Sequence, residues 1–357
     1  SIGTLGYGIG NRLTPDSLTT PDAVSLQSRL FKFHQQRCEY VVMEVSSHAL
    51  EQYRVDGCHF DIAVLTNLGR DHLDYHGDLA SYANAKARLF HDFDLSARVV
   101  NADDEFGRRL GAEVNSAGLI RYSIDHKQDA PVEVSLIDSE LTRNGQNIRA
   151  QTSLGVVTAV TALLGDFNVE NTLACIATLV ALGLDYQQIE LAVKDLQPIP
   201  GRMEHFSGKA SMAAAVVDFA HTEQALRACL KACRKHSDGE LWCVFGCGGD
   251  RDQGKRSGMG RAVEELADHA VVTDDNPRNE SPEKIVSEIL AGMQHPDKAC
   301  VVHNRQAAIE YALSQAKPQD LVVIAGKGHE SEQIVGSERR PFSDRHLVGR
   351  ILQVSHD

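Results

Sequence analysis

The sequence predicts an α/β protein built of two domains. Three observations carry that expectation. The chain has 357 residues, a length that suits two domains of ordinary size. From residue 213 onward, short apolar runs alternate with helical stretches, the pattern of a doubly wound parallel sheet. Between the halves stands Pro198-Ile199-Pro200-Gly201-Arg202, which cannot continue the helix before it. The expected division is 1–202 and 203–357.

Each element follows in order. Ser1 to Gly8 reads as an apolar strand and a glycine loop already under way, and with no initiator methionine further residues are expected upstream. Residues 39–45 read as a buried parallel strand ending in Ser46-Ser47-His48. Glu44 lies inside that run, where a carboxylate is costly unless it is paired or binds a cation. Phe60 to Leu65 is the next strand. Residues 98–101 and 118–123 are two more, with Asp103-Asp104 in the turn between them. Residues 131–160 alternate apolar and polar side chains, as antiparallel strands do, and Asn144-Gly145 suits a hairpin. Leu164 to Asn171 leads into a helix that runs to about Leu182. N-capping accounts for one of Asn168 and Asn171. After the boundary the expected strands are 213–218, 241–245, 270–273, 299–302 and 321–325. The expected helices are 222–236, 258–268, 282–294, 304–317 and 343–353, in strict alternation with the strands.

Composition limits the function. A net charge of -13 argues against a nucleic-acid or anionic-membrane surface. No apolar run is long enough to span a bilayer. The eight cysteines have no zinc or redox spacing and read as buried small residues in a reducing cytoplasm.

The densest chemistry lies in Thr66-Asn67-Leu68-Gly69-Arg70-Asp71-His72-Leu73-Asp74-Tyr75-His76-Gly77, at the end of the 60–65 strand. Ligands bind at such strand ends in open α/β sheets. Lys86 follows on a helix, with Tyr82 one turn earlier on the same face. His72 and His76 stand four apart as a zinc pair would, but the glutamate between them and a third soft ligand are missing. In the second half, four strand ends carry polar or glycine-rich loops. They are Asp218-Phe219-Ala220-His221, Gly246 to Arg251, Asp274 to Arg278, and Gly326 to Glu330.

Two motif matches fail. Gly249 to Lys255 nearly spells the phosphate-cradling loop, but Arg256 stands where a hydroxyl must meet magnesium. Gly246-Cys247-Gly248 does not continue into the dinucleotide fingerprint, because Arg251 occupies the sixth position. A guanidinium there suits a carboxylate. Asp275-Asn276-Pro277-Arg278 offers an acid, an amide and a guanidinium on a stiffened turn, and Glu330 can take an ammonium. Together they complement an amino acid with more than one charged centre.

Taken together, these stretches resemble the Mur ligases, the ATP-dependent amide-forming enzymes of bacterial peptidoglycan precursor synthesis. The motifs are MEVSSHAL, TNLGRDHLDYHG with its downstream lysine, GDFNVENTLA, GRME, DFAHT, FGCGGDRDQGKR, DDNPR and AGKGHE. They cover nearly the whole chain in the family's order. The resemblance implies a central ATPase domain with a mostly parallel sheet and a small antiparallel one, then a Rossmann-like domain. Lys86 corresponds to the lysine that CO2 carbamylates, with Glu44 and His72 as companion ligands of Mg2+ and with Lys86 and His72 counted as catalytic. Asn168, Asn171, Arg202 and Asp218 match the ATP positions. Thr19, Thr20, Ser46, Gln52 and Arg54 match those for a UDP-MurNAc-L-Ala-D-Glu substrate. Arg251, Asp275, Asn276, Pro277, Arg278, Gly326 and Glu330 match a meso-diaminopimelate site, and the arginine of DNPR is the form associated with that amino acid rather than lysine. A cytoplasmic monomer is implied.

The family's own phosphate loop, of the G-T-N-G-K-T-T type, and its uridine-diphosphate domain are not among these residues. On that reading the first strand and helix of the central domain are absent, a sheet edge is left exposed, and the 357 residues alone are expected to be inactive. The other readings are a non-catalytic diaminopimelate-binding remnant and a folylpolyglutamate synthetase-like ligase. His221 and His329 are both available to deprotonate the incoming amine, and each reads equally well as a structural histidine.

Overall fold

The computed structural model describes residues 1–10, 12–69, 72–114, 117–125 and 131–354. Its second half is governed by strands that are apolar on both faces. Ala214–Asp218, Leu241–Phe245 and Leu321–Ala325 are buried at every position, as strands covered by helices on both sides must be. They sit in a six-stranded sheet ordered Glu204–Phe206, Ala214–Asp218, Leu321–Ala325, Leu241–Phe245, His269–Val272, Cys300–Val301. The last five are parallel; Glu204–Phe206 pairs antiparallel at the edge.

The two-residue period of a strand sorts the side chains into two cores. Val216, Cys243, Phe245 and Val323 face the helices Glu223–Arg234, Lys255–Leu266 and Pro282–Leu290. Val217, Trp242, Val244, Val322 and Ile324 face Arg305–Gln315 and Asp344–Leu352. Asp218 is level with Ala325, and Phe245 with Val272. The loops that follow therefore emerge along one sheet edge.

The first half holds another six-stranded sheet, Ile62–Leu65, Ala97–Asn101, Leu119–Ser123, Val134–Thr142, Gly145–Thr152, Gly155–Thr161. Its first four strands are parallel and its last three pair antiparallel. Asn144-Gly145 makes the expected hairpin turn. The helix Asp166–Ala181 packs Leu173, Ile176 and Ala177 on Val99, Tyr122 and Ile148.

Several expectations need correction. The 39–45 segment is not a buried strand: Val42 is 75% exposed. Its backbone pairs on one side with Ile2, through Ile2 N to Val42 O (3.0 Å) and Glu44 N to Ile2 O (2.9 Å). With one paired edge the apolar run stays in contact with solvent. Ser1 to Thr14 is an antiparallel meander, Ile2–Gly3, Gly6–Ile9 and Arg12–Thr14, rather than one strand and a glycine loop. Between the strands at 97 and 119 lies a helix, Glu105–Glu113, which Asp104 caps by accepting from Gly107 N. Strict alternation fails at the hairpin Glu332–Val335/Glu338–Pro341. Gly336, at φ 59°, turns the chain between the two strands, as a short hairpin loop requires.

At the end of the Leu321–Ala325 strand, Arg305 and Asp344 form an ion pair with no exposure on either side chain. Nε and Nη2 of Arg305 donate to the two carboxylate oxygens at 2.8 and 2.7 Å, and Nη2 also reaches Ala325 O at 3.0 Å. Asp344→Asn is expected to lower stability by about 3–5 kcal/mol in urea unfolding, because it strands a buried guanidinium. A loss under about 1 kcal/mol would contradict this account of the pair.

Candidate active site

The residues expected to bind a nucleotide-sugar peptide and a metal fall into one connected group. Thr20 is buried; its hydroxyl donates to Glu44 O (2.8 Å) and accepts from Ser46 N (3.0 Å). Ser46 in turn caps the helix Ser47–Glu51 through Ala49 N. Arg54 donates to Thr20 O (2.9 Å) and to Gln52 Oε1 (2.9 Å). Gln52 donates to the Tyr75 hydroxyl (2.7 Å), which donates to Glu51.

Glu44 is exposed, contrary to the buried carboxylate expected of it. Thr4 nevertheless fixes it, through N to Oε1 (3.0 Å) and Oγ1 to Oε2 (2.7 Å), and the Thr4 hydroxyl also meets Thr19 Oγ1 at 3.2 Å. A carboxylate exposed yet held in one orientation is suited to a ligand from solution.

His72 sits in the left-handed region at φ 54° and precedes the short helix Leu73–His76. Its ring stands edge-on to His48 at 5.1 Å and to Tyr82 at 5.8 Å. His76 bonds Ser47 Oγ at 2.9 Å. The helix Leu79–His91 carries Tyr82 and Lys86 on one face as expected, with Lys86 Nζ 5.3 Å from the Tyr82 ring centre. Arg70 and Asp71 of the same loop lie outside the described residues. Among the described residues no group of three His, Cys, Asp or Glu side chains is arranged to hold a metal; lysine is not part of that set.

Asn168 and Asn171 start the helix Asp166–Ala181, but neither caps it. Gly165 does, at φ 91°, a conformation glycine adopts without strain. Asn168 donates to Leu164 O (2.7 Å) and accepts from Asn171 Nδ2 (2.9 Å). This helix start is anchored across the molecule. Leu164 belongs to the core of the second sheet. His236, buried after the helix Glu223–Arg234, accepts from Gly165 N (2.9 Å) and bonds Thr142 O (2.6 Å).

The second group lies along the sheet edge. Asp218 accepts from Met203 N and Ala220 N, both at 2.8 Å, so its carboxylate organises the GRME and DFAHT loops. Arg202 lies over the Phe219 ring at 4.8 Å, and Phe219 contacts His221 and His329. Burial, then the Arg202 charge, push His329 below its usual value. Gly201 (φ 68°) and Gly328 (φ 53°) pack backbone to backbone: a Cβ on Gly201 would lie 2.2 Å from Gly328 C. These two glycines hold GRME against AGKGHE.

Asp275, Asn276, Pro277 and Arg278 form the next loop. Asn276 Oδ1 accepts from Lys327 Nζ (3.0 Å) and Ile334 N (3.0 Å), while Nδ2 donates to Glu330 Oε2 (2.9 Å). Lys327 Nζ donates to the same Glu330 oxygen at 2.8 Å. Burial raises the Asp275 carboxyl pKa despite nearby Arg305 and Lys327, and Gly326 leaves room beside it, a Cβ there falling 2.6 Å from Asp275 Oδ2. Arg278, at φ 50°, donates to Gly249 O (2.7 Å). Arg251 is exposed and makes no hydrogen bond or ion pair with the described residues. The rejected phosphate loop is explained by Arg256. Its side chain has no exposure, forks onto Glu280 at 2.9 and 3.0 Å, and reaches Glu288 at 2.6 Å and Gly248 O at 3.2 Å. Hydrogen bonds from Arg256 and Asp250 N hold the Glu280 carboxyl down to about 2.

Residues 1–179 match the Mur ligase middle domain, and 201–328 match the Mur ligase glutamate ligase domain. The chain belongs to the Mur ligase family. Its curated relatives include UDP-N-acetylmuramoyl-L-alanyl-D-glutamate–2,6-diaminopimelate ligases. That of Alkalilimnicola ehrlichii is 47% identical over 98% of this chain and 70% of the relative. That of Chromobacterium violaceum is 43% identical over 98% and 71%. A solved structure of a ligase of that name has a TM-score of 0.77 at 39% identity, covering 98% of this chain and 72% of that one. The folylpolyglutamate synthase of Mycobacterium tuberculosis shares the fold, with a TM-score of 0.55 at 24% identity over 74% and 61%.

Sequence reasoning missed Thr4, Tyr75, His236 and Lys327. Tyr75 and Lys327 lie within motifs that were noticed for their neighbours. Thr4 and His236 act across long sequence separations and carried no local signal.

His236 predicts a pH dependence for this Mur ligase. Burial pulls its pKa below the usual 6.5. As pH falls, the unfolded chain takes up that proton before the native one does, so stability is lost below the unfolded value. The urea midpoint is expected to fall between about pH 7.5 and about pH 5.5, and His236→Gln is expected to flatten that slope. An unchanged slope in the variant would contradict it.

Proposed function

We propose that this chain carries the catalytic surface of an ATP-dependent ligase that joins meso-diaminopimelate to UDP-MurNAc-L-Ala-D-Glu. The observation that carries the reading is the loop set at the second sheet's edge. Arg251, Arg278, Asn276 and Glu330 there offer guanidinium, amide and carboxylate groups to an amino acid with several charges. The likeness to diaminopimelate ligases over 98% of the chain supports the same substrate.

The chemistry follows from the family. The D-Glu carboxylate attacks the γ-phosphorus of ATP, and ADP leaves. The diaminopimelate amine then attacks the acyl phosphate, loses a proton, and expels phosphate. The chain's part is to position and to neutralise charge. Thr20, Ser46, Gln52 and Arg54, linked by hydrogen bonds, would hold the dipeptide substrate, with Thr19 beside Thr4. Asn168, Asn171, Arg202 and Asp218 would frame ATP. The oriented Glu44 carboxylate and the exposed His72 imidazole would hold a cation, and carbamylation of Lys86 would turn a cation into a third donor, the second that is anionic. Bound there, Mg2+ would neutralise charge on the transferred phosphoryl group. The reading also carries a division at 202/203 and a cytoplasmic monomer.

The test is phosphate release with MgATP and UDP-MurNAc-L-Ala-D-Glu, offering meso-diaminopimelate or L-lysine. It is run on this chain and on a version extended upstream through a phosphate loop and a uridine-diphosphate domain. Turnover with diaminopimelate is expected in the extended form, and Arg278→Ala is expected to raise its KM about tenfold or more, as loss of a charge-assisted contact would. A preference for lysine, or no turnover by either form, would overturn the reading.

A further inference from the structure

Lys327 is fully buried at the sheet edge, where an ammonium must be paired to be tolerated. It is not one of the groups expected to touch substrate. Its Nζ donates to Asn276 Oδ1 at 3.0 Å and to Glu330 Oε2 at 2.8 Å.

The two contacts have consequences for the ligand side. Asn276 Oδ1 also accepts from Ile334 N at 3.0 Å, so the oxygen is committed on the inner side. That network fixes the amide's orientation, and Nδ2 must face Glu330. One Nδ2 hydrogen is used on Glu330 Oε2 at 2.9 Å; the other has no partner among the described residues, on a residue that is 4% exposed. Glu330 Oε2 is thus occupied twice. Oε1 has no partner among the described residues, and the side chain is 35% exposed. Burial pushes the Glu330 carboxyl up, but the bonds from Lys327 and Asn276 outweigh it and leave it below its ordinary value.

We propose that Lys327 is a positioning residue, which clamps Asn276 and Glu330 so that one amide N–H and one carboxylate oxygen face a zwitterionic amino acid together. The clamp presents a donor for the ligand's carboxylate and an anion for its ammonium, at fixed spacing. It deepens the ligase reading and rests on it: Lys327 acts on recognition of the incoming amino acid and not on ATP or the UDP-linked substrate.

Lys327→Met removes the ammonium and keeps an apolar stem. In the ligase assay of the upstream-extended form its KM for meso-diaminopimelate is expected to rise about tenfold or more, with KM for ATP and for the dipeptide substrate unchanged. A carbon-13 titration of the Glu330 carboxyl should show its pKa rising in the variant. Glu330→Gln should add less to Lys327→Met than it does to the wild type, since both remove one interaction. Lys327→Gln, which keeps a donor, should fall between the two and serves if the methionine variant does not fold. An unchanged KM for diaminopimelate, or equal rises in all three KM values, overturns the proposal. So does a Glu330 pKa that stays at its wild-type value. Absence of turnover by the upstream-extended wild type would instead sink the ligase reading, and the Glu330 titration would still decide the clamp.

Discussion

Among the described residues, Arg256, Arg305 and Lys327, whose side chains have no exposure, hold the loops at the edge of the second sheet. Taking a charge out of water costs several kcal/mol unless good partners replace the solvent. Each cation is answered by acids and also grips a neighbouring loop. Arg256 meets Glu280 and Glu288 and holds Gly248 O. Arg305 meets Asp344 and holds Ala325 O, the residue before the glycine loop. Lys327 meets Glu330 and holds Asn276. The loops are thereby fixed by buried charge, while Arg251 stays exposed and Arg278 braces Gly249 O.

The first half contributes a different kind of order. Its expected ligands are joined by hydroxyls and amides rather than by buried ion pairs: Thr4 and Thr20 around Glu44, Gln52 and Tyr75 beside the histidines. That network is close to solvent, and an exposed donor set can accept a cation or phosphate without first breaking strong internal pairs. The two halves meet where Leu164 enters the second core and His236 holds Gly165. A single neutral imidazole thus ties the helix bearing Asn168 to the other domain's fold. Motion of that helix relative to the second sheet would have to break or carry this contact.

Much of this was legible in the sequence. The second sheet was readable because its strands are apolar on both faces and separated by helices, so length and composition agree. The polar strand ends at 218, 246–251, 274–278 and 326–330 fell along one edge because parallel strands all end on the same side. The 39–45 segment was misread because apolar content does not reveal whether a neighbouring strand is there to bury it; Val42 is 75% exposed. Glu44 was expected in the interior for the same reason. Arg256 was read only as the residue that spoils a phosphate loop, since a buried arginine looks like a surface one until its acids, 24 and 32 positions away, are seen beside it. Lys327 was hidden likewise: its partner Asn276 lies 51 positions earlier.

The most direct measurement is a crystal structure of the protein with meso-diaminopimelate. The account predicts the amino acid at the sheet edge, with an ammonium on Glu330 Oε1, a carboxylate on Asn276 Nδ2, and a further carboxylate on Arg251 or Arg278. Density for the ligand at the Glu44–His72 loops, or at the sheet edge without contact to Asn276 and Glu330, would contradict it.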